Sequence, residues 1–442
     1  MRFKQIIFSS LLWRGLYFIT VLLLNVVVSR YFQANGTGWI YYITNYFAFF
    51  LLVASVSLES GMTFFASKRA IRENRLATFG IAWSLVVSLL ILLVLYLYHQ
   101  QSDIAFTRNQ VILFAVTYLT GILLTNFFCS LFYAQKNYSL PNSILCIANL
   151  LLIGYFLFAF WWKRSATMES RLLNYYFLNY LIQGVLLAIA YWFKNNLKTG
   201  WSLPNSPELK MLFRFSLFAF ASNILFFLLY RVDYWFVKNA CPVCQEGDLG
   251  NYIQVSKMGQ MFLILPNILA TSIFPRTAAG FRQQVNNSLG LIIRGVLILY
   301  SIIILFLIVT GYFLFPWVYG STFNKMYVPF VLMVPGMLSL SVLVLFNAYN
   351  AGKDKVITNV KGNLLGLIII LVCDWIFIPV YGIKGAAIIS STGYTINLIF
   401  IMYVFHKEYK GSPMELFLPH KDDYKKVRAI FSDYTTDQQK PD

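Results

Sequence analysis

The chain has 442 residues, of which 59% are hydrophobic and 12% are charged, and its mean hydropathy is +0.65. Soluble globular proteins carry about 25% charged and about 45–50% apolar residues, so this composition excludes an ordinary soluble protein and indicates a polytopic membrane protein. The formal net charge of +18 is dispersed over the predicted loops, which gives no support to nucleic-acid binding and favours contact with anionic lipids.

Twelve apolar segments along the chain are candidate spans, and most of them approach the ~20 apolar residues that a helix needs to cross a bilayer. The first segment follows Arg2 and Lys4 and shows no clear small-residue cleavage site, so it is predicted to be a transmembrane helix rather than a signal peptide. The sequence therefore predicts an all-α, polytopic membrane fold. The predicted spans lie near 6–28, 40–65, 77–98, 111–132, 142–162, 174–193, 211–237, 252–274, 291–315, 327–348, 359–380 and 383–405.

Basic residues set the expected orientation of these spans. If the N-terminus is placed in the cytoplasm, most of the 35 lysines and arginines fall on the cytoplasmic side, and the densest group is "SKRAIRENR" at 67–75. Cytoplasmic loops of membrane proteins carry an excess of these residues. We therefore expect a multi-pass protein with both termini in the cytoplasm.

A weak internal repeat divides the chain into two halves. "NGTGWIYYITNYFAFF" is similar to "EGDLGNYIQVSKMGQMF", which aligns Gly38 with Gly250, and "FYAQK" is similar to "FNAYNAGK", which aligns Ala134 with Ala348 at nearly the same offset. The offset contains six spans, so the halves share one orientation and predict two six-helix lobes related as parallel repeats. The expected parts are an N-terminal lobe at 1–195, a cytoplasmic loop between the lobes at 196–210, a C-terminal lobe at 211–405 and a cytoplasmic tail at 406–442.

Charged residues within the spans are candidate functional residues, because burying a charge in the bilayer costs about 2.5–3.5 kcal/mol on insertion scales. "LLYRVDYWFVKN" at 228–239 carries Arg231 and Asp233, which stand about 200° apart on a helix and cannot pair with each other. Asp233 is expected either to form an ion pair with Lys257 on the next span or to take part in ion coupling. Arg231 would then face a substrate cleft.

Three further charged residues lie in the spans. Arg14 is about 12 Å inside the first span, where its side chain either snorkels to the inner headgroups or lines a water-filled cavity. Glu59 in "VSLESG" and Asp374 in "LVCDWIF" have no partner that the sequence identifies. These two carboxylates are predicted either to be partnered structural groups or to bind a coupling H⁺ or Na⁺.

Motifs for covalent chemistry are missing from the sequence. There is no Walker loop, so ATP hydrolysis is unsupported, and no cofactor is expected beyond a coupling ion. The three histidines are scattered and form no metal-ligand cluster. Cys241 and Cys244 form "CPVC" in a loop, where we expect either a disulfide or no function, because a zinc site would need two further ligands.

Three stretches carry a resemblance to a known family. "VVVSRYFQANGTGWIYYI…SLESGMTFFASKRA", "RVDYWFV…GDLGNYIQVSKMGQMFLILPNILATSIFPR" and "VYGSTFNKMYVPFVLMVPG…FNAYNAGKDK" resemble bacterial Wzx-type polysaccharide and O-antigen flippases of the multidrug/oligosaccharidyl-lipid/polysaccharide (MOP) exporter superfamily. The resemblance covers nearly the whole chain. It implies twelve to fourteen helices in two MATE-like lobes, alternating access and a location in the bacterial inner membrane.

The resemblance also implies a function. Such proteins move undecaprenyl-pyrophosphate-linked sugar repeat units from the inner to the outer leaflet, alongside polysaccharide polymerase and chain-length machinery. Their clefts are lined by cationic residues, a role that the resemblance assigns here to Arg14, Arg231 and Lys257. Two alternatives remain open: a cation-coupled multidrug exporter of the same superfamily, and a membrane polysaccharide polymerase or glycosyltransferase. The short outer loops argue against an enzyme of that kind.

Overall fold

A computed structural model describes residues 3–97, 107–161, 166–195, 202–278 and 282–409. Within these ranges the chain is almost entirely helical and contains no β-strand. The helices in chain order are α1 (Phe3–Ser55), α2 (Leu58–Ser67), α3 (Glu73–Leu97), α4 (Arg108–Ala134), α5 (Ser139–Trp161), α6 (Ala166–Lys194), α7 (Ser206–Arg231), α8 (Asp233–Asn239), α9 (Asp248–Met261), α10 (Ile264–Ala278), α11 (Arg282–Tyr319), α12 (Tyr327–Gly352) and α13 (Val356–Tyr409).

The predicted all-α membrane fold is confirmed. Nine helices in the described part of the chain are long and apolar enough to cross a membrane. Helix α13 holds two predicted spans, and α1 holds the first span and most of the second. Each of these helices bends sharply at one residue with positive φ: Gln33 at 59° in α1 and Gly382 at 58° in α13. Large apolar side chains such as Leu89 and Leu97 are 66% and 68% exposed, as expected for a surface that faces lipid.

The chain forms two compact units. The first comprises Met1–Arg231, Gln245–Asn251 and Phe315–Phe323. Its core lies where α4 crosses α6 at very short range: a Cβ atom added to Gly121 would lie 2.3 Å from the backbone of Tyr180. Fully buried phenylalanines of α4, among them Phe127 and Phe132, form part of the apolar core of this unit. Small residues at a helix crossing let two membrane helices approach closely and gain packing energy.

Helix α7 belongs to the first compact unit. Arg75 forms a two-pronged ion pair with Glu208 at the start of α7, with an Nη1–Oε2 distance of 2.9 Å. Further along, the rings of Phe64 and Phe215 stack with centroids 4.5 Å apart. Helix α7 therefore contacts α2 and α3 along its length, and the long N-terminal segment of the first unit extends to Arg231.

The second unit comprises Val232–Cys244, Tyr252–Leu314 and Asn324–Asp442. Helices α12 and α13 form its centre, and they meet where the backbone N–H of Gly336 donates to the Ser391 Oγ at 2.8 Å. Helix α8 packs on α13, and the ring of Phe236 makes an edge contact with Trp375. The predicted tail lies outside the described residues from 410 onwards.

Candidate transport site

Asp233 is the first residue of α8 and its side chain is buried inside the second unit, with 1% of the residue exposed. Its Oδ2 accepts hydrogen bonds from the Tyr252 hydroxyl and from the Ser390 Oγ, the latter at 2.9 Å. Its Oδ1 accepts from the backbone N–H of Tyr234 at 2.9 Å. Helices α8, α9 and α13 thus converge on one carboxylate.

Asp374 on α13 is a second buried carboxylate in the same unit. The residue is fully buried, and neither of its carboxyl oxygens has a hydrogen-bond partner within the described residues. Its neighbour Trp375 contacts the ring of Phe236 on α8, the helix that begins with Asp233. Two buried carboxylates cannot both keep an uncompensated charge, because each would lose its hydration without a partner. The pair is therefore suited to holding a proton or a small cation.

The sequence predicts an ion pair between Asp233 and Lys257. Within the described residues the donors to Asp233 are two hydroxyl groups and one backbone N–H, and Lys257 is not among them. Lys257 lies on α9 with a part-buried side chain. The ring of Tyr252, five residues earlier on the same helix, brings its hydroxyl to the carboxylate instead, so α9 does supply a partner, but a neutral one.

Arg231 ends α7 in the first unit, only two residues before Asp233. Its Nη1 donates to the Oδ1 of Asn45 at 3.2 Å, and its guanidinium lies 5.1 Å from the ring centroid of Phe227. The side chain is part-buried and forms no ion pair within the described residues. A guanidinium has five N–H donors, so most of them are not used by these contacts.

Arg14 on α1 is held by aromatic rings. Its guanidinium lies 4.6 Å from the ring centroid of Tyr133 at the end of α4 and 5.0 Å from that of Tyr138 before α5. Like Arg231, it forms no ion pair in the described part of the chain. The two arginines belong to one unit but share no partner, so the structure does not bring them into a single cluster.

Glu59 follows a break in the second predicted span. Val56 and Ser57 both adopt left-handed conformations, with φ of 47° and 55°, between α1 and α2. Neighbouring helices satisfy polar groups at the break: the Trp83 Nε1 donates to the Ala54 carbonyl at 2.9 Å, and the Asn223 amide donates to the Ser57 Oγ at 3.0 Å. The Glu59 Oε2 is buried without a hydrogen bond in the described structure. The sequence has no glycine or proline here, so nothing in it predicted the break.

The bend of α1 is held by hydrogen bonds to the segment at 317–322, which the sequence did not predict. Arg30 donates to the carbonyls of Trp317 and Val318, and the Thr322 hydroxyl bonds both to the Gln33 side chain and to the Ala34 backbone N–H. These segments all lie in the first unit. The hydrogen bonds fix the bend against residues almost 290 positions away in the chain.

Comparison with known proteins gives a fold but no sequence family. No family model matches the chain, and no curated protein matches it. The structure is similar to that of the lipid II flippase MurJ in an inward closed conformation, with a TM-score of 0.71, 14% identity, and coverage of 98% of this chain and 94% of MurJ.

Two MATE transporters have similar structures. One is an inward-facing MATE family transporter of the MOP superfamily, with a TM-score of 0.66, 12% identity, and coverage of 89% of this chain and 96% of the other. The other is the MATE transporter VcmN of Vibrio cholerae in its bent form, with a TM-score of 0.61, 15% identity, and coverage of 94% and 98%. The chain is therefore a multi-pass membrane protein with the all-α fold that these MOP-superfamily transporters and flippases share.

Proposed function

We propose that this protein is a flippase for a lipid-linked anionic oligosaccharide of the undecaprenyl-pyrophosphate type, moving it from the inner to the outer leaflet of a bacterial inner membrane. The observation that supports this most is Arg231. It is a guanidinium at the end of a membrane-spanning helix, held by an amide and a phenyl ring and without an acidic partner among the described residues. A guanidinium in that state can give two parallel hydrogen bonds to a phosphate.

The chemistry of such a substrate explains the need for cations in the spans. Moving a pyrophosphate through hydrocarbon without partners would cost tens of kcal/mol. Arginines that already lie in a membrane helix replace part of the lost hydration, while the lipid tail stays in the bilayer. No bond is made or broken, so no catalytic residues are required. The fold likeness to a lipid II flippase supports a lipid-linked substrate.

The remaining predicted residues have roles within this proposal. Arg14, whose aromatic partners lie at the end of α4 and before α5, would meet the anionic headgroup on the cytoplasmic side. Lys257 would add positive charge to the substrate path from α9. Alternating access of two lobes, cytoplasmic termini and delivery of the product to polysaccharide polymerase and chain-length machinery complete the proposal.

Asp233 and Asp374 would supply the driving force by binding a coupling H⁺ or Na⁺. Asp374 has two buried oxygens without donors among the described residues, and Asp233 holds the hydroxyl oxygens of Tyr252 and Ser390 in the same unit. Carboxylate and hydroxyl oxygens are suitable ligands for a hard cation. Glu59 is a third carboxylate in the spans, and its buried Oε2 is available for a proton.

Leaflet transfer in proteoliposomes tests the proposal. The substrate is an undecaprenyl-pyrophosphate oligosaccharide labelled on its sugar. Its transfer is measured as the rate at which the sugar becomes accessible to an enzyme that cannot cross the membrane, with imposed H⁺ or Na⁺ gradients. The parent protein should accelerate transfer, and Arg231→Ala should slow it at least about tenfold, since a hydrogen bond to a charged group contributes about 1.5–3 kcal/mol. Arg171→Ala, at an exposed arginine on α6, is the matched control and should transfer at the parental rate.

Two results would count against the proposal. Parental transfer by Arg231→Ala would remove this arginine from the substrate site. No acceleration by the parent protein, across several sugars and both gradients, would contradict the flippase proposal itself.

A cation-coupled multidrug exporter is the second candidate. The observation that favours it is the buried carboxyl pair together with the fold likeness to two MATE transporters. An exporter of cationic drugs should bind them through acidic and aromatic groups, so Arg231→Ala should preserve or improve drug efflux. Drug accumulation in cells that lack their own exporters distinguishes the two candidates, because a lipid-linked oligosaccharide flippase should leave it unchanged.

A further inference from the structure

The turn between α8 and α9 carries a disulfide that the proposed function does not use. Cys241 and Cys244 are bonded to each other, and the two residues between them are exposed, with Val243 at 53%. The three other cysteines in the chain are free. A disulfide persists only where the compartment is oxidising, so this turn is expected to face the outer side of the membrane.

The disulfide packs directly on the bend of α13. The Cys241 Sγ lies 3.7 Å from the backbone oxygen of Ile378. A Cβ atom placed on Gly382, the residue with φ of 58° at the bend, would lie 3.6 Å from the Cys244 Sγ and 3.7 Å from the Cys241 Sγ. The two sulfur atoms therefore lie directly over Gly382, at about one van der Waals contact from where a side chain would begin.

The same short helix joins this disulfide to the buried carboxylates. Helix α8 has seven residues, a length of about 10 Å, with Asp233 at its first position and Cys241 two residues beyond its last. Between these ends, the ring of Phe236 contacts Trp375, the neighbour of Asp374. Asp233, Phe236 and the disulfide thus attach α8 to α13 at three points along its length.

We propose that Cys241 and Cys244 form a reversible thiol–disulfide exchange site whose oxidised state holds α8 on α13 and keeps Asp233 in place. The inference rests on the ion-coupling part of the proposed function. The reductant is a dithiol: one of its thiolates attacks one sulfur of the disulfide and expels the other protein sulfur as a thiolate. Its second thiolate then attacks the reductant's own sulfur in the mixed disulfide and releases the first protein sulfur. Two electrons pass to the protein, which gains two thiols, and the dithiol becomes a disulfide after giving up two protons.

Reduction should loosen α8 because the turn after Asn239 would lose its covalent restraint and would pack less firmly on Gly382. Asp233 would keep its hydrogen bonds for a smaller fraction of time, and the site would bind its cation more weakly. Changes to groups that orient metal ligands typically lower affinity about 10–100-fold, so we expect at least about a tenfold weaker response to Na⁺ in the reduced protein.

Hydrogen exchange of the full-length purified protein tests the attachment without any assumption about a cation. The amides of α8, residues 233–239, should exchange faster after treatment with dithiothreitol and in the Cys241→Ser/Cys244→Ser double variant than in the oxidised parent. Cys129→Ser, at a free cysteine on α4, is the control and should exchange like the parent. Equal exchange of α8 in the oxidised and reduced proteins would overturn the inference.

Thermal unfolding in a series of NaCl concentrations, with choline chloride held to constant ionic strength, tests the consequence. The expected result is Na⁺-dependent stabilisation of the oxidised parent whose midpoint moves to at least about tenfold higher concentration on reduction. A midpoint that is the same in both redox states would overturn the effect on the site. No Na⁺ response in either state, with α8 exchange still dependent on the disulfide, would instead count against Na⁺ coupling in the proposed function.

Discussion

Gly38 and Gly250 touch through their backbones: a Cβ atom added to Gly38 would lie 2.8 Å from the Gly250 nitrogen. One added to Gly250 would lie 1.9 Å from the carbonyl oxygen of Ala34. These glycines are the pair that the internal repeat aligns. The repeat-related segments therefore do not only resemble each other but meet, within the first unit, next to the bend of α1.

Gly250→Ala should destabilise the protein, because the new methyl group would overlap a carbonyl oxygen that cannot easily move. Overpacking of this kind costs about 1–3 kcal/mol. Gly295→Ala is a matched control, since a Cβ on Gly295 has no atom within 4 Å and alanine favours a helix. Thermal unfolding in detergent should show a lower midpoint for Gly250→Ala only, and equal midpoints would contradict the close contact.

Asp233→Ala should lower stability, because it removes the acceptor for the buried hydroxyls of Tyr252 and Ser390. A buried donor left unsatisfied costs about 1–3 kcal/mol. Tyr252→Phe in the same chain should restore part of the loss, whereas Lys257→Ala should not. The measurement is a double-mutant cycle on thermal unfolding. Rescue by Lys257→Ala and none by Tyr252→Phe would mean that the lysine is the true partner.

Asp374→Asn should keep or raise stability while removing the response to the coupling ion. The substitution retains the shape of the side chain but removes a buried carboxyl group that has no hydrogen-bond donor in the described structure. Thermal unfolding in rising NaCl, and again across a pH series, checks both effects. Glu408→Gln is a suitable control, because Glu408 pairs with Lys353 and Lys355 near the end of α13. An unchanged ion response in Asp374→Asn would exclude this carboxylate as the coupling site.

Val56→Gly should stabilise the break between α1 and α2 or leave its stability unchanged. A left-handed conformation costs a non-glycine residue about 1–2 kcal/mol, which the substitution removes, while glycine loses about 0.5–1 kcal/mol of chain entropy. Val53→Gly, one turn earlier in regular helix, should instead destabilise by about 1 kcal/mol. The midpoint of thermal unfolding should be unchanged or higher for Val56→Gly and lower for Val53→Gly. Equal destabilisation by both would show that residue 56 is helical.

Several properties of this protein could be predicted from sequence alone because they depend on local composition. Apolar runs of sufficient length determine membrane spans wherever they lie. In hydrocarbon the backbone N–H and C=O groups must bond to each other, and only a helix or a closed barrel allows this. The same reasoning identified Arg14, Arg231, Asp233 and Asp374 as exceptional, because each interrupts such a run. The CPVC spacing allowed a disulfide, and the structure contains it.

The partners of those residues were decided only by the tertiary structure. Asp233 bonds to Tyr252 and to Ser390, which is 157 positions away, and a hydroxyl in an apolar run carries no signal that it will meet a carboxylate. Helix α7 belongs to the first unit because Glu208 pairs with Arg75 on α3 and Phe215 stacks on Phe64 on α2. The sequence of α7 alone does not indicate these partners. Hydropathy is a sum over neighbours in the chain, whereas hydrogen bonds and ion pairs depend on distances in space, which only the folded chain defines.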